Sequence, residues 1–108
     1  THHIIDADIL RRLGPDGTLV NISRGSAVDE AALVAALADG TIAGAGLDVF
    51  ETEPHSPDAL TAFPNVVLTP HIGGHTADSH QAMQDCVMAN LEAAFEGKPL
   101  PYPVASGT

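Results

Sequence analysis

Three short, mostly apolar runs constrain this chain more than any other feature: TLVNIS at residues 18–23, TIAGAGLDVF at 41–50 and VVLT at 66–69. Between the first two, DEAALVAALADG places Ala32, Leu33, Ala36 and Leu37 at helical spacing, with Asp29 as N-cap and Gly40 as the stop. Strand, helix and strand joined by short connections form a βαβ unit, which pairs its strands in parallel with a right-handed crossover. TIAGAGLDVF is apolar at successive rather than alternate positions, the pattern of a strand covered by helices on both faces. Gly44 and Gly46 within it permit close approach of a neighbouring element or a ligand. VVLT reads as a third buried strand, so the fold class is α/β with parallel strands.

The flanking segments complete this outline. Asp6 can cap a helix over ADILRRL, which the turn residues GPDG at 14–17 end. ETEPHSPDALTAFPN, 51–65, holds three of the eight prolines and is expected to be an irregular loop with one helical turn at DALTAF. From Thr76 a helical pattern runs to Glu96, with Met83, Cys86, Val87, Leu91, Ala94 and Phe95 on one side and Gly97 as its stop. The tail KPLPYPVASGT is expected to be extended.

Bulk properties exclude several function classes. A chain of 108 residues that is 44% hydrophobic suits one small domain. Its net charge of −10, from 14 acidic residues against Arg11, Arg12, Arg24 and Lys98, repels a phosphate backbone and argues against nucleic acid as a partner. No apolar run approaches the ~20 residues that cross a bilayer, and THHIIDAD lacks the parts of a signal peptide, so a cytoplasmic protein without a membrane partner is expected. Cys86 is the one cysteine, and its apolar neighbours suit a small buried residue.

In open α/β sheets ligands gather beyond the carboxyl ends of the strands. Arg24 follows the first strand, Asp48, Glu51 and Glu53 lie at or beyond the second, and His71 follows the third. With parallel neighbouring strands, a cation, carboxylates and an imidazole converge on one edge. The Arg24 guanidinium matches a carboxylate bidentately, the alternative being an ion pair with Asp29 or Glu30. Glu53 against one nitrogen of His71 leaves the other free to exchange a proton, as in a general acid–base pair. The alternatives are a packed ring and a solvated carboxylate. Asp48 can instead be a strand-end carboxylate satisfied by backbone N–H groups.

Metal binding by His71, His75, His80 and Asp48 is disfavoured, because Gly73 and Gly74 oppose the helix that would align His71 with His75. No metal is therefore expected. His2, His3 and His55 read as surface residues, the first two pointing apart as adjacent residues in a strand or loop do.

LVNISRGSAVDEAALVAALADGTIAGAGLDVFETEP and NVVLTPHIGGHT resemble, in order and spacing, two C-terminal signature regions of the D-isomer-specific 2-hydroxyacid dehydrogenases. That family includes glyoxylate and hydroxypyruvate reductases, phosphoglycerate dehydrogenase and formate dehydrogenase. The resemblance implies the C-terminal half of a Rossmann-type NAD(P)-binding domain at 1–76, then a helix and tail at 77–108 that belong to a substrate domain. It further implies NAD or NADP as cofactor, a small 2-oxo or 2-hydroxy acid as substrate, and a homodimer.

By the same resemblance Arg24 binds the substrate carboxylate and polarises the keto group, Glu53 pairs with His71, and His71 donates the proton in reduction. Asp48 lies at the nicotinamide carboxamide, and Ile22, Ser23, Arg24 and the segment from His71 through Gly73 and Gly74 border the cofactor. A non-catalytic NAD(H)-sensing corepressor is the alternative within the family. His75 departs from the pattern, since members often carry alanine or another small residue there. No GxGxxG occurs in the sequence, so the pyrophosphate-binding half of the site is missing. The chain thus reads as a C-terminal fragment, expected to be inactive in isolation.

Overall fold

The computed structural model describes residues 1–105 and divides between Gly73 and Gly74 into two compact units. Residues 106–108, the end of the expected tail, lie outside the described residues. In the first unit, helix α1 spans Ala7–Leu13 because the Asp6 carboxylate accepts hydrogen bonds from the N–H groups of Asp8 and Ile9, each at 3.0 Å. Gly14, at φ 85°, ends it. Strand β1 (Thr18–Asn21) leads through a 3-10 turn at Gly25–Ala27 into helix α2 (Glu30–Ala38), which Asp29 caps by accepting from Ala32 N at 3.1 Å. Strand β2 (Gly44–Leu47), the short helix α3 (Asp58–Thr61) and strand β3 (Val66–Leu68) follow.

The three strands lie side by side in the order β1-β2-β3, and both pairs are parallel. Their register aligns Leu19, Ala45 and Val66, then Val20, Gly46 and Val67, then Asn21, Leu47 and Leu68. Successive strand residues point to opposite faces, so the first and third rows share one face. That face packs against a core of Leu10, Leu33, Leu37, Ile42, Phe50 and Leu60. The middle row lies on the other face, where Val20 and Val67 are 67% and 68% exposed. The expectation that β2 is covered on both faces, and that β3 is wholly buried, is therefore corrected: the buried core is built on one face.

The strands are also shorter than their apolar runs. At its end β1 meets Asn21, whose side chain bonds the turn that follows; before β2, Ile42 N donates to Ala36 O and Ala43 N to Gly17 O, so 41–43 connects rather than pairs. Of the two glycines in β2, only Gly44 meets a close neighbour: a Cβ there would lie 2.6 Å from Asn65 O. At Gly46 it would make ordinary contact with Val20, at 3.8 Å. His2 and His3 do not point apart, since their rings stack with centroids 3.9 Å apart. His3 has φ 50°, and that left-handed turn removes the alternation of extended backbone.

The second unit begins with a capping box: Ser79 N donates to Thr76 Oγ1 at 3.0 Å while Thr76 N donates to Ser79 Oγ at 3.3 Å, starting helix α4 (Ala77–Phe95). Asn90 then holds the tail, accepting from Tyr102 N at 2.9 Å and donating to Tyr102 O at 2.8 Å. The apolar stripe of α4 is open, with Met83 56% and Phe95 90% exposed. Cys86 is half-buried rather than buried, because its neighbours on the stripe are themselves exposed. No helix among the described residues is long and apolar enough to cross a membrane.

The two faces of the sheet predict different tolerances. Leu33→Ala, in the fully buried core, should lower unfolding free energy by about 2–5 kcal/mol. Val67→Ala, on the open face of the isolated chain, should cost under about 1 kcal/mol, both read from urea denaturation.

Candidate active site

Each strand of the sheet delivers one functional segment to the same edge. At the end of β1, Asn21 is 6% exposed and organises the turn. Its Oδ1 accepts from Ser23 N at 3.0 Å and from Ser23 Oγ at 2.8 Å, while its Nδ2 donates to Arg24 O at 3.0 Å. Arg24 is exposed, donates from Nη1 to Ser23 O at 2.7 Å and forms no ion pair among the described residues. The ion-pair alternative fails because Asp29 caps α2 and Glu30 Oε2 accepts from Glu51 N at 3.3 Å.

Gly25 sets how closely this turn meets the segment after β2. A Cβ at Gly25 would lie 1.9 Å from the carbonyl carbon of Phe50 and 2.4 Å from Glu51 N, so backbone rests on backbone. Any side chain here would push the Arg24 turn away from the Glu53 turn.

Asp48, at the end of β2, is 6% exposed and ties down the segment after β3. Its Oδ1 accepts from Thr69 Oγ1 at 2.6 Å and from Ile72 N at 2.9 Å, and its Oδ2 accepts from Gly73 N at 2.9 Å. These donors, the Thr69 hydroxyl first, hold the Asp48 carboxyl below the ordinary carboxylate range. The strand-end role weighed for Asp48 is thus present in the structure, while Oδ2 keeps a lone pair for one further donor.

His71 sits inside the loop so anchored, at φ 55°, a left-handed conformation rare for a residue with a side chain and concentrated at functional sites. Its Nδ1 is 2.7 Å from Glu53 Oε2. An ionised carboxylate only accepts, so Nδ1 carries the proton and Nε2 is left to act elsewhere. Glu53 Oε1 accepts from Phe50 N at 3.2 Å, and the Glu53–Pro54 peptide is cis. The His71 hydrogen bond first, then the Phe50 N–H, lowers the Glu53 carboxyl below its ordinary range, and the Arg24 charge acts in the same direction. The pair borders a cleft of about 110 Å³ lined by Phe50, Glu53, Pro54, Pro70 and His71.

The remaining expected site residues divide. Ile22 is 74% exposed beside the Arg24 turn, Ser23 is engaged by Asn21, and Gly73 gives its N–H to Asp48. Gly74 opens the second unit, with nothing within 4 Å of where a Cβ would stand. Sequence reasoning passed over Asn21 and Thr69, whose one signal was a polar residue closing an apolar run. Glu30, weighed only as an ion-pair partner for Arg24, instead accepts from the Glu51 N–H. Among the described residues no group of three or more His, Cys, Asp or Glu side chains is arranged to hold a metal ion. The geometry can therefore hold an anion at Arg24 and exchange a proton at His71.

Residues 1–73 match the family described as D-isomer specific 2-hydroxyacid dehydrogenase, NAD binding domain. The chain is 53% identical over 104 residues to hydroxyphenylpyruvate reductase of Plectranthus scutellarioides, covering 96% of this chain and 33% of that protein. It is 51% identical over 104 residues to glyoxylate/hydroxypyruvate reductase A of Arabidopsis thaliana, again covering 96% of this chain and 33% of the relative. Among solved structures, NADPH-dependent glyoxylate/hydroxypyruvate reductase from Sinorhizobium meliloti in complex with citrate superposes with a TM-score of 0.92 at 54% identity, over 96% of this chain and 33% of that one. The chain thus spans about a third of the length of these relatives.

The lowered carboxyls give a pH dependence with a definite sign. Asp48 and Glu53 ionise more readily folded than unfolded, so their stabilisation is fully present above the ordinary carboxylate range and is lost as pH falls through their folded values. Urea denaturation between roughly pH 3 and pH 6 should therefore show stability falling toward acid. In Asp48→Asn that acid-side slope should be shallower.

Proposed function

Because this chain belongs to the D-isomer-specific 2-hydroxyacid dehydrogenase family, we propose that it is the catalytic-pair-bearing portion of an NAD(P)-dependent oxidoreductase that interconverts a 2-oxo acid and a D-2-hydroxy acid. The observation that carries the proposal is the 2.7 Å contact between His71 Nδ1 and Glu53 Oε2, beside an Arg24 that has no internal ion-pair partner among the described residues. The names of the relatives favour a substrate of the glyoxylate or hydroxypyruvate type, and a second solved structure of the Sinorhizobium meliloti reductase, in complex with NADP and malonate, supports a nicotinamide coenzyme. The relatives described above are named for reductase activities, and none of them for corepression.

The residues present fit the nicotinamide end of such a coenzyme. Ile22 is exposed where an apolar ring face can rest, and the spare lone pair of Asp48 Oδ2 can accept from a carboxamide. Ser23, Arg24, His71, Gly73 and Gly74 complete the proposed border. NAD or NADP, when bound, supplies or takes up the hydride. In this reading Arg24 holds the substrate carboxylate through its guanidinium fork and draws electron density from the adjacent carbonyl. Nε2 of His71 gives its proton to the carbonyl oxygen in reduction and takes it back in oxidation. Glu53 keeps the ring oriented and stabilises the imidazolium from which the proton leaves.

We assign residues 1–76 to the coenzyme domain and 77–108 to the substrate domain of the longer protein. The division of the chain at Gly73 and Gly74, and the open apolar stripe of α4, support that boundary. The same stripe suits burial in a homodimer of the whole protein.

In the full-length protein, His71→Ala should lower kcat by about 10²–10⁴-fold in NAD(P)H oxidation with glyoxylate or hydroxypyruvate. Undiminished turnover would overturn the acid–base assignment. Arg24→Lys should chiefly raise KM for the oxo acid, since a point charge replaces a bidentate fork. The 108 residues alone, lacking the glycine-rich pyrophosphate site, should show no oxo-acid-dependent NAD(P)H oxidation in the same assay.

A further inference from the structure

The proposed chemistry leaves a second group of polar side chains without a part: His3, Asp29, Glu30 and Glu51. Glu51 and Glu53 belong to the same turn, separated by Thr52. The Glu51 carboxylate is hydrogen-bonded to Nε2 of His3, and Nδ1 of the same ring lies 3.9 Å from Asp29 Oδ2. The Glu51 backbone N–H donates to Glu30 Oε2, so this residue is held at both ends. Glu30 is 8% exposed, and its burial raises its carboxyl above the ordinary range, opposed by the Glu51 N–H and the His3 ring.

His3 is itself carried by the Arg24 side of the site. Its N–H donates to Ser26 O at 2.8 Å, Ile5 N donates to Ala27 O at 3.0 Å, and Asp29 N donates to Ile5 O at 3.0 Å. Residues 3–5 therefore run along the segment that begins with Arg24 and ends at the α2 cap. The left-handed φ of 50° at His3 turns its ring off that segment toward Glu51. On the same front Gly25 lies against the Phe50 and Glu51 backbone.

We propose that Glu51 is a positioning residue: gripped by His3 and Glu30, it fixes the Glu53 turn against the Arg24 turn and so sets the spacing between the carboxylate-binding guanidinium and the acid–base pair. Among the described residues no hydrogen bond or ion pair joins Glu51 to His71 or Arg24, so it acts through Glu53. The Glu53 side chain, 34% exposed, is hydrogen-bonded to the Phe50 N–H and the His71 ring, so where it stands depends on how firmly the backbone of its turn is held. This inference rests on the function proposed above.

The test uses the full-length enzyme with Glu51→Ala and Glu51→Gln. In Glu51→Ala, kcat/KM for the oxo acid should fall on the order of 10- to 100-fold, with the dissociation constant for NAD(P)H unchanged. Compared with Glu51→Gln, which removes the same charge, Glu51→Ala should show its acid limb at higher pH, because Glu53 loses its His71 hydrogen bond and returns toward its ordinary range. Glu51→Gln, whose amide oxygen still accepts from the His3 ring, should recover most of the activity. Lower thermal stability with kcat/KM and pH profile unchanged overturns the proposal, as does a Gln variant as impaired as Ala. Should Glu51→Ala not fold, His3→Asn tolerates the left-handed backbone while removing the ring, and is held to the same outcomes. Absence of oxo-acid-dependent turnover in the wild-type enzyme would instead overturn the parent function. In that event a 13C titration of the Glu53 carboxyl decides: a higher titration in Glu51→Ala than in Glu51→Gln supports the grip, and equal titrations in the two overturn it.

Discussion

One nearly buried carboxylate organises the edge of this sheet. Asp48 gathers the Thr69 hydroxyl and the N–H groups of Ile72 and Gly73, three donors from the segment that contains His71. Removing a carboxylate from water is costly unless its oxygens are satisfied, and here the satisfying groups all come from that segment. The left-handed backbone of His71, a strain of about 1–2 kcal/mol, is offset by charge-assisted bonds on the residues beside it. Loop position, ring position and the Glu53 contact all depend on this anchor.

Parallel topology turns that local anchor into a site. With β2 between β1 and β3, the carboxyl ends of all three strands lie on one edge, and the turns carrying Arg24, Glu53 and His71 meet there. Electrostatics then separates the groups into roles. In a chain with formal charge −10, Arg24 forms no ion pair among the described residues because the nearby carboxylates are engaged elsewhere. Asp29 caps α2, and Glu30 holds the Glu51 N–H. Glu53 is committed to the imidazole. Charge neutralisation inside the site is thus arranged so that the cation faces outward.

Much of the fold was legible in local pattern. Asp6 and Asp29 cap the helices expected of them, and Gly14 and Gly97 follow their helices with positive φ, whereas the capping role of Thr76 was not read from the sequence. The convergence of Arg24 and His71 followed from parallel strands alone. Burial was less legible: VVLT looks buried, yet Val67 is exposed, because hydrophobicity marks what can be covered and not what covers it. The His2–His3 pair misled for a related reason, since alternation holds only for extended backbone and His3 turns left-handed.

The sequence by itself determined the helix limits, the parallel βαβ order, the family signature and the three side chains at the strand ends, because caps, periodicity and motif spacing are local properties. The pairing of Glu53 with His71 was read from the sequence, and tertiary structure decided the partners of Asp48 and Glu51. Asp48 binds the loop 21–25 positions away, Glu53 binds a ring 18 positions away, and Glu51 binds a ring 48 positions away. No local rule distinguishes these acids, since all three are carboxylates following the same strand; their roles are set by what the packed backbone brings within hydrogen-bond reach.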